Sequence, residues 1–96
     1  MRFLAISKRL AGAELEKIIA LGADETRAVW SLYANGPVRE LCFDKDKSKG
    51  LIFLECASEQ QVREALATLP LVQAGQIDFD VYALGPYTNL SALFAK

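Results

Sequence analysis

Apolar residues recur along the chain with two different periods, and the switches between them outline the elements. Residues 2–7 read as a first strand. From Ala11 the spacing turns helical: Leu15, Ile18, Ile19, Gly22, Thr26, Val29, Trp30 and Tyr33 fall on one stripe at a period of about 3.6 residues. Gly22 interrupts that stripe at a cost of about 1 kcal/mol relative to alanine, so a kink or break is expected there. Asp24 stands where it would cap a second helical segment. Asn35-Gly36-Pro37 stops the helix, with glycine at the left-handed exit position and proline just beyond.

Residues 38–43 and 51–56 read as the second and third strands, antiparallel across the charged hairpin loop Asp44-Lys45-Asp46-Lys47-Ser48-Lys49-Gly50. Ser58 opens another helix, with Gln61 completing a capping box. Val62, Ala65, Leu66 and Leu69 form its buried stripe, and Pro70 ends it. Residues 77–83 alternate strictly, giving a strand with one apolar and one polar face. In the tail that follows, residues 86–96, Leu90, Leu93 and Phe94 share one face of a short helix that would pack on this chain or on a neighbouring copy.

Strand, helix, strand, strand, helix, strand is the split β-α-β order of the ferredoxin-like α+β sandwich. Both helices then cover one face of a four-stranded antiparallel sheet. The other face stays open. In a chain that is 52% apolar, the expected cover is a second subunit, giving a homodimer or a larger homo-oligomer.

Ninety-six residues support one core, so residues 1–96 are taken as a single domain. With 11 basic and 12 acidic residues the net charge is −1, and no basic field is present to hold a nucleic acid backbone. The apolar run at the N-terminus is too short for a signal peptide or a membrane span, so a cytoplasmic location is expected. There is no histidine, which removes the Ser-His-Asp and Cys-His forms of nucleophilic catalysis and most zinc sites. No metal-ligand spacing, phosphate loop or nucleophile elbow occurs, so neither metal nor organic cofactor is expected. With Phe43 facing Gly50 across the hairpin, Cys42 faces Leu51. Cys56 then lies roughly 16 Å away, well beyond the ~7 Å that a disulfide spans. Both cysteines read as small buried hydrophobes in a reducing compartment.

Three stretches resemble the muconolactone isomerase-like group of small α+β proteins: Asn35-Gly36-Pro37-Val38-Arg39-Glu40-Leu41, Leu69-Pro70-Leu71, and the fourth strand ending in Tyr82-Ala83-Leu84. The resemblance covers most of the chain in element order and spacing. Its specific motifs are short, a glycine-x-x-arginine leading into the second strand and a leucine-proline-leucine after the second helix. It implies subunits paired sheet to sheet into a dimeric α/β barrel, and a ligand cleft between the sheet and the first helix or the partner. For the isomerases it implies a proton shift on a small unsaturated lactone acid, without metal or organic cofactor. Arg39 matches the family's arginine; the next position, often histidine in those isomerases, is Glu40 here. Cofactor-free monooxygenases share the barrel, so the fold by itself does not select a reaction.

Glu55 closes the apolar run Leu51-Ile52-Phe53-Leu54, a pattern expected of a strand buried on both faces. A carboxylate there has its pKa raised, as a proton-shuttling base requires, or else it is paired or turned to water at the strand's end. Arg39 falls opposite Leu54 and beside Glu55; it either bridges to Glu55 or grips an anionic ligand in bidentate fashion. Asp78, Asp80 and Tyr82 share one face, either a wet surface or a cavity wall in which Tyr82 donates to a ligand oxygen. Trp30 and Tyr33 belong to the core or to the lid of the cleft. The leading reading is a cofactor-free isomerase or related enzyme, with Glu55 as base, Arg39 as carboxylate anchor, and Tyr82 or Glu40 assisting. Two others stand beside it: a binding module with the same cleft and no turnover, and a structural oligomer whose charged strand positions are all ion pairs.

Overall fold

The helical stripe breaks where its glycine falls. In the computed structural model, which describes residues 1–95, strand β1 (Arg2–Arg9) leads into a short helix α1 (Leu15–Ala20) and then a longer α2 (Gly22–Asn35). Leu21 is the joint between them, and Asp24 does not cap: it pairs with Arg27 at 3.0 Å inside the first turn of α2. Strands β2 (Val38–Phe43) and β3 (Gly50–Glu55) follow as a hairpin. Helix α3 (Glu59–Leu66) starts at Ser58, whose hydroxyl accepts from the Gln61 amide, while Gln61 Oε1 accepts from the Ala57 amide. The Ser58 half of the predicted capping box is therefore formed, while Gln61 reaches one residue further back, to Ala57. Pro70 begins an element rather than ending one, since it occupies the first turn of the one-turn helix α4 (Pro70–Gln73), where its missing N–H costs nothing. Strand β4 (Ile77–Ala83) has the predicted bounds.

The strands form one antiparallel sheet in the order β2-β3-β1-β4. This is the ferredoxin-like α+β architecture expected from the element order. Phe3 and Ala5 of β1, Val38 of β2, Ile52 and Leu54 of β3 and Phe79 of β4 point to the helical side. There they meet Val62 and Leu66 of α3, Leu69, and the Ala28, Val29 and Leu32 edge of α2. No described buried side-chain polar atom lacks a partner. Buried Gln76 joins elements: its Oε1 accepts from the Glu14 amide at 2.7 Å and its Nε2 donates to the Ala74 carbonyl.

The β2–β3 register departs from the symmetric hairpin at one residue. Phe43 faces Gly50 and Cys42 faces Leu51 as expected, but Val38, not Arg39, lies opposite Leu54, and Glu40 faces Phe53. Arg39 is the extra residue of a bulge. The cysteines are free, and Cys42 is exposed on the edge strand rather than buried. Gly36 also departs from expectation, since its φ of −122° is extended rather than left-handed. Glycine is required there by space: a Cβ at Gly36 would lie 2.9 Å from the Leu32 carbonyl oxygen.

Among the described residues no helix covers the opposite face of the sheet. Leu4, Ile6, Leu51 and Phe53 are half-buried at its centre, and Tyr82, Asp80 and Lys8 occupy neighbouring positions. Beyond β4, the Leu84 amide donates to the Arg2 carbonyl. Thr88–Leu93 then forms a 3₁₀ turn whose Leu90 and Leu93, with Phe94 after it, are exposed; Lys96 lies outside the described residues. The long axis of the molecule, 59 Å against 28 and 21 Å, is that of an elongated chain. Among the described residues no helix is long and apolar enough to cross a membrane.

Candidate functional site

The first half of the site is the helical stripe itself. Thr26, Val29, Trp30 and Tyr33 stand at i, i+3, i+4 and i+7 and therefore on one face of α2. That face is not core, for Trp30 is 63% and Tyr33 45% exposed, and Leu15 and Ile19 of α1 are exposed as well. The core is met by the neighbouring edge through Ala28, Val29 and Leu32. The stripe instead walls one side of a cleft of about 430 Å³, whose other side is Arg39, Glu40 and Leu41 of β2. The Trp30 and Tyr33 rings pack 5.8 Å apart at a 42° tilt, so they brace one another as a single aromatic wall.

The bulge sets the second half. Arg39 swings out of the ladder, and its Nη1 donates to the Gly36 carbonyl at 2.9 Å and the Val38 carbonyl at 3.4 Å. These two carbonyls hold the guanidinium at the mouth of the cleft without neutralising it. Arg39 has no carboxylate partner among the described residues, which leaves its other N–H groups outside any ion pair. Glu40 borders the same cleft at its rim, although its ladder position pairs it with Phe53 on the open face.

Four of the six residues singled out from sequence thus converge: Arg39, Glu40, Trp30 and Tyr33. Glu55 and Tyr82 do not. Glu55 faces Arg2 across β1–β3, is exposed, and pairs with the Met1 ammonium at 2.5 Å. That bond, with the positive charge of the amine and smaller contributions from Arg39 and Arg2, holds its carboxyl below the ordinary glutamate range. A base poised near neutrality needs the opposite shift, so the structure removes the reason for assigning Glu55 that role. It also removes the Arg39–Glu55 bridge, because the bulge takes Arg39 out of the row. Tyr82 is exposed on the open face, opposite Leu4 of β1. Of the aspartates beside it, Asp80 pairs with Lys8 at 2.7 Å, and Asp78 accepts from the Phe79 amide.

Among the described residues the one carboxyl driven upward is Glu25 on α2. Half-burial disfavours its charge, partly offset by the Leu71 amide that it accepts at 2.9 Å. Burial also pushes the Cys56 thiol up, which makes it a poor nucleophile. Leu41, which the sequence does not single out, lines the cleft beside the bulge, a feature that only the strand register reveals. No group of three or more His, Cys, Asp or Glu among the described residues is arranged to hold a metal ion.

The backbone as a whole superposes on 5-chloro-2-hydroxyhydroquinone dehydrochlorinase from Burkholderia phenoliruptrix AC1100, solved in complex with 2,5-dihydroxybenzoquinone. The TM-score is 0.70 at 20% identity, covering 93% of this chain and 98% of that one. It superposes also on muconolactone isomerase, with a TM-score of 0.65 at 22% identity over 91% and 93% of the two chains. The chain has the muconolactone isomerase-like fold. No family model matches the sequence, and no curated protein matches it. At these identities the muconolactone isomerase-like likeness covers architecture, and the chemistry rests on the residues in the cleft.

Proposed function

We propose that the α2–β2 cleft binds a small unsaturated acid, with Arg39 gripping its carboxylate and the Trp30–Tyr33 wall covering its apolar body. The observation that carries this is the unneutralised Arg39, fastened through Nη1 to two main-chain carbonyls in front of an aromatic wall. The carboxylate of Glu40 beside Arg39 supports a proton transfer on such a molecule. In that reaction Glu40 at the rim takes the proton, and Arg39 stabilises the negative charge that spreads onto the substrate's oxygens. Glu55, paired and outside the cleft, and Tyr82, on the open face, have no part in it. A second reading, a binding module without turnover, is favoured by one fact: among the described residues Glu40 is the only carboxylate lining the cleft, and its ladder position is on the opposite face.

Trp30 is the only tryptophan and stands in the wall, so its fluorescence reports occupancy directly. Arg39→Ala is expected to weaken binding of small unsaturated carboxylates about ten-fold or more, the loss of a charge-assisted pair. Unchanged affinity would overturn the site. Proton exchange from bound acid into D₂O, followed by NMR, separates the two readings: the enzyme exchanges and Glu40→Gln does not, whereas the binding module never exchanges.

The subunit is proposed to pair through its open face. Leu4, Ile6, Leu51 and Phe53 give that face an apolar centre, and Arg2, Lys8, Glu55 and Asp80 give its periphery both signs of charge, a composition that can complement its own two-fold copy. The exposed Leu90, Leu93 and Phe94 of the tail find cover in the same assembly, and the free thiols suit the reducing cytoplasm. Light scattering on a sizing column, with dilution to low micromolar, tests the pairing; a monomer at every concentration would refute it.

A further inference from the structure

The cleft does not end at Leu41. A second hollow of about 120 Å³ continues under α2 along β2, walled by Val29, Leu41, Phe43, Gly50 and Ile52 among others. It shares Val29 and Leu41 with the Arg39 compartment, so the two adjoin at these residues. The register explains its character. Leu41 pairs with Ile52 and Phe43 with Gly50 on the helical side of the sheet, and Gly50 places no side chain there. The result is a slot without a charged wall residue, beside a compartment that Arg39 lines. Arg39 and Phe43 are four residues apart on one strand, about 13 Å at the usual rise.

Resting on the reading that the cleft binds acids, we infer that its preferred ligand is an amphipathic monocarboxylate, with the carboxylate on Arg39 and an unbranched apolar chain laid past Val29 and Leu41 into the slot. A compact acid fills only the first compartment and leaves the slot wet. An acid with a tail expels that water from an apolar lining, and the gain grows with each methylene until the slot is full. The hollow has the bulk volume of about four water molecules, so the gain covers a few carbons and then stops.

The test is a series of straight-chain carboxylates from butanoate to decanoate, beside compact unsaturated acids, titrated against Trp30 fluorescence in the full chain. Affinity is expected to rise about four-fold per methylene over the slot's length and then level off. Gly50→Val, whose Cβ would meet Ser7 Oγ at 3.5 Å and Phe43 at 3.9 Å in ordinary contact, adds bulk to the slot and is expected to level the series earlier. Phe43→Ala, at an exposed side chain, removes one wall and is expected to reduce the gain per methylene about two-fold without unfolding the chain. Compact acids that bind through Arg39 while affinity stays flat with chain length would overturn the slot and leave the acid site standing. A rise with chain length that neither variant alters would place the tails elsewhere and also overturn it. No binding of any acid would overturn both.

Discussion

Gly36→Ala tests how the cleft is held open, because one atom is enough to disturb it. A Cβ at Gly36 would lie 2.9 Å from the Leu32 carbonyl oxygen, 3.2 Å from Leu32 Cα and 3.4 Å from Leu32 C. All three are backbone atoms of the last turn of α2, so no side-chain rotation relieves them. The end of α2 must move away from β2 by several tenths of an ångström. Overpacking of this kind costs about 1–3 kcal/mol. Alanine recovers about 0.4–1 kcal/mol by restricting the unfolded chain, since a φ of −122° suits it. The net destabilisation is about 1–2 kcal/mol, or about 5–10 °C in midpoint for a domain of this size. The assay is urea unfolding followed by circular dichroism, read as a lower Cm at unchanged m. Gly22→Ala is the control: nothing lies within 4 Å of its added Cβ, and as the first residue of α2 it is expected to gain stability. Because the Gly36 carbonyl anchors Arg39, Gly36→Ala is also expected to weaken acid binding. If the two variants are equally stable, or if Gly36→Ala loses stability but binds as before, the close approach of α2 and β2 does not position Arg39.

Three further outcomes follow from burial and charge. Leu69→Ala, at a fully buried position between α3 and α4, is expected to cost about 2–5 kcal/mol in urea unfolding, because the site is closed on all sides. Glu25 has a carboxyl raised above its ordinary 4.5, so the folded state holds its proton more tightly and stability falls as pH rises from there through the shifted value; Glu25→Gln should flatten that fall, which thermal midpoints from pH 4 to pH 8 would show. Glu55 is shifted the other way: its pairing stabilises above the ordinary value and is lost as pH falls through the depressed one, so Glu55→Gln should remove acid-side slope while leaving acid binding at neutral pH unchanged.

The architecture was legible because its signals are local. The alternation of residues 77–83, the Ser58–Gln61 cap and the charged loop after Phe43 each mark an element boundary without reference to distant parts of the chain. The cleft was half legible. The periodic stripe Thr26-Val29-Trp30-Tyr33 was visible, but periodicity does not tell a buried stripe from one facing a groove, and the two predict opposite roles for Trp30. The bulge was not visible at all. Nothing near Arg39 announces an extra residue, and a slip of one position moved Arg39 away from Glu55 and undid the partnership read between them. Glu55 itself was decided by Met1, fifty-four positions away in the chain, whose amine meets its carboxylate across the end of the β1–β3 ladder.

The two outermost strands each carry an arginine on their free margin. Arg39 donates to the Gly36 and Val38 carbonyls beside the bulge of β2, and Arg63 reaches from α3 to donate to the Phe79 carbonyl of β4 at 2.9 Å. The Phe79 amide is taken as well, by Asp78 Oδ1. An intruding strand would have to displace these side chains and dock on a kinked margin, so the sheet resists lengthening sideways into a ribbon. Growth of an assembly is thereby steered away from the margins and onto the broad faces. Arg63→Ala would leave the Phe79 carbonyl without its donor, and on heating such a chain should be the first to form fibrous aggregates.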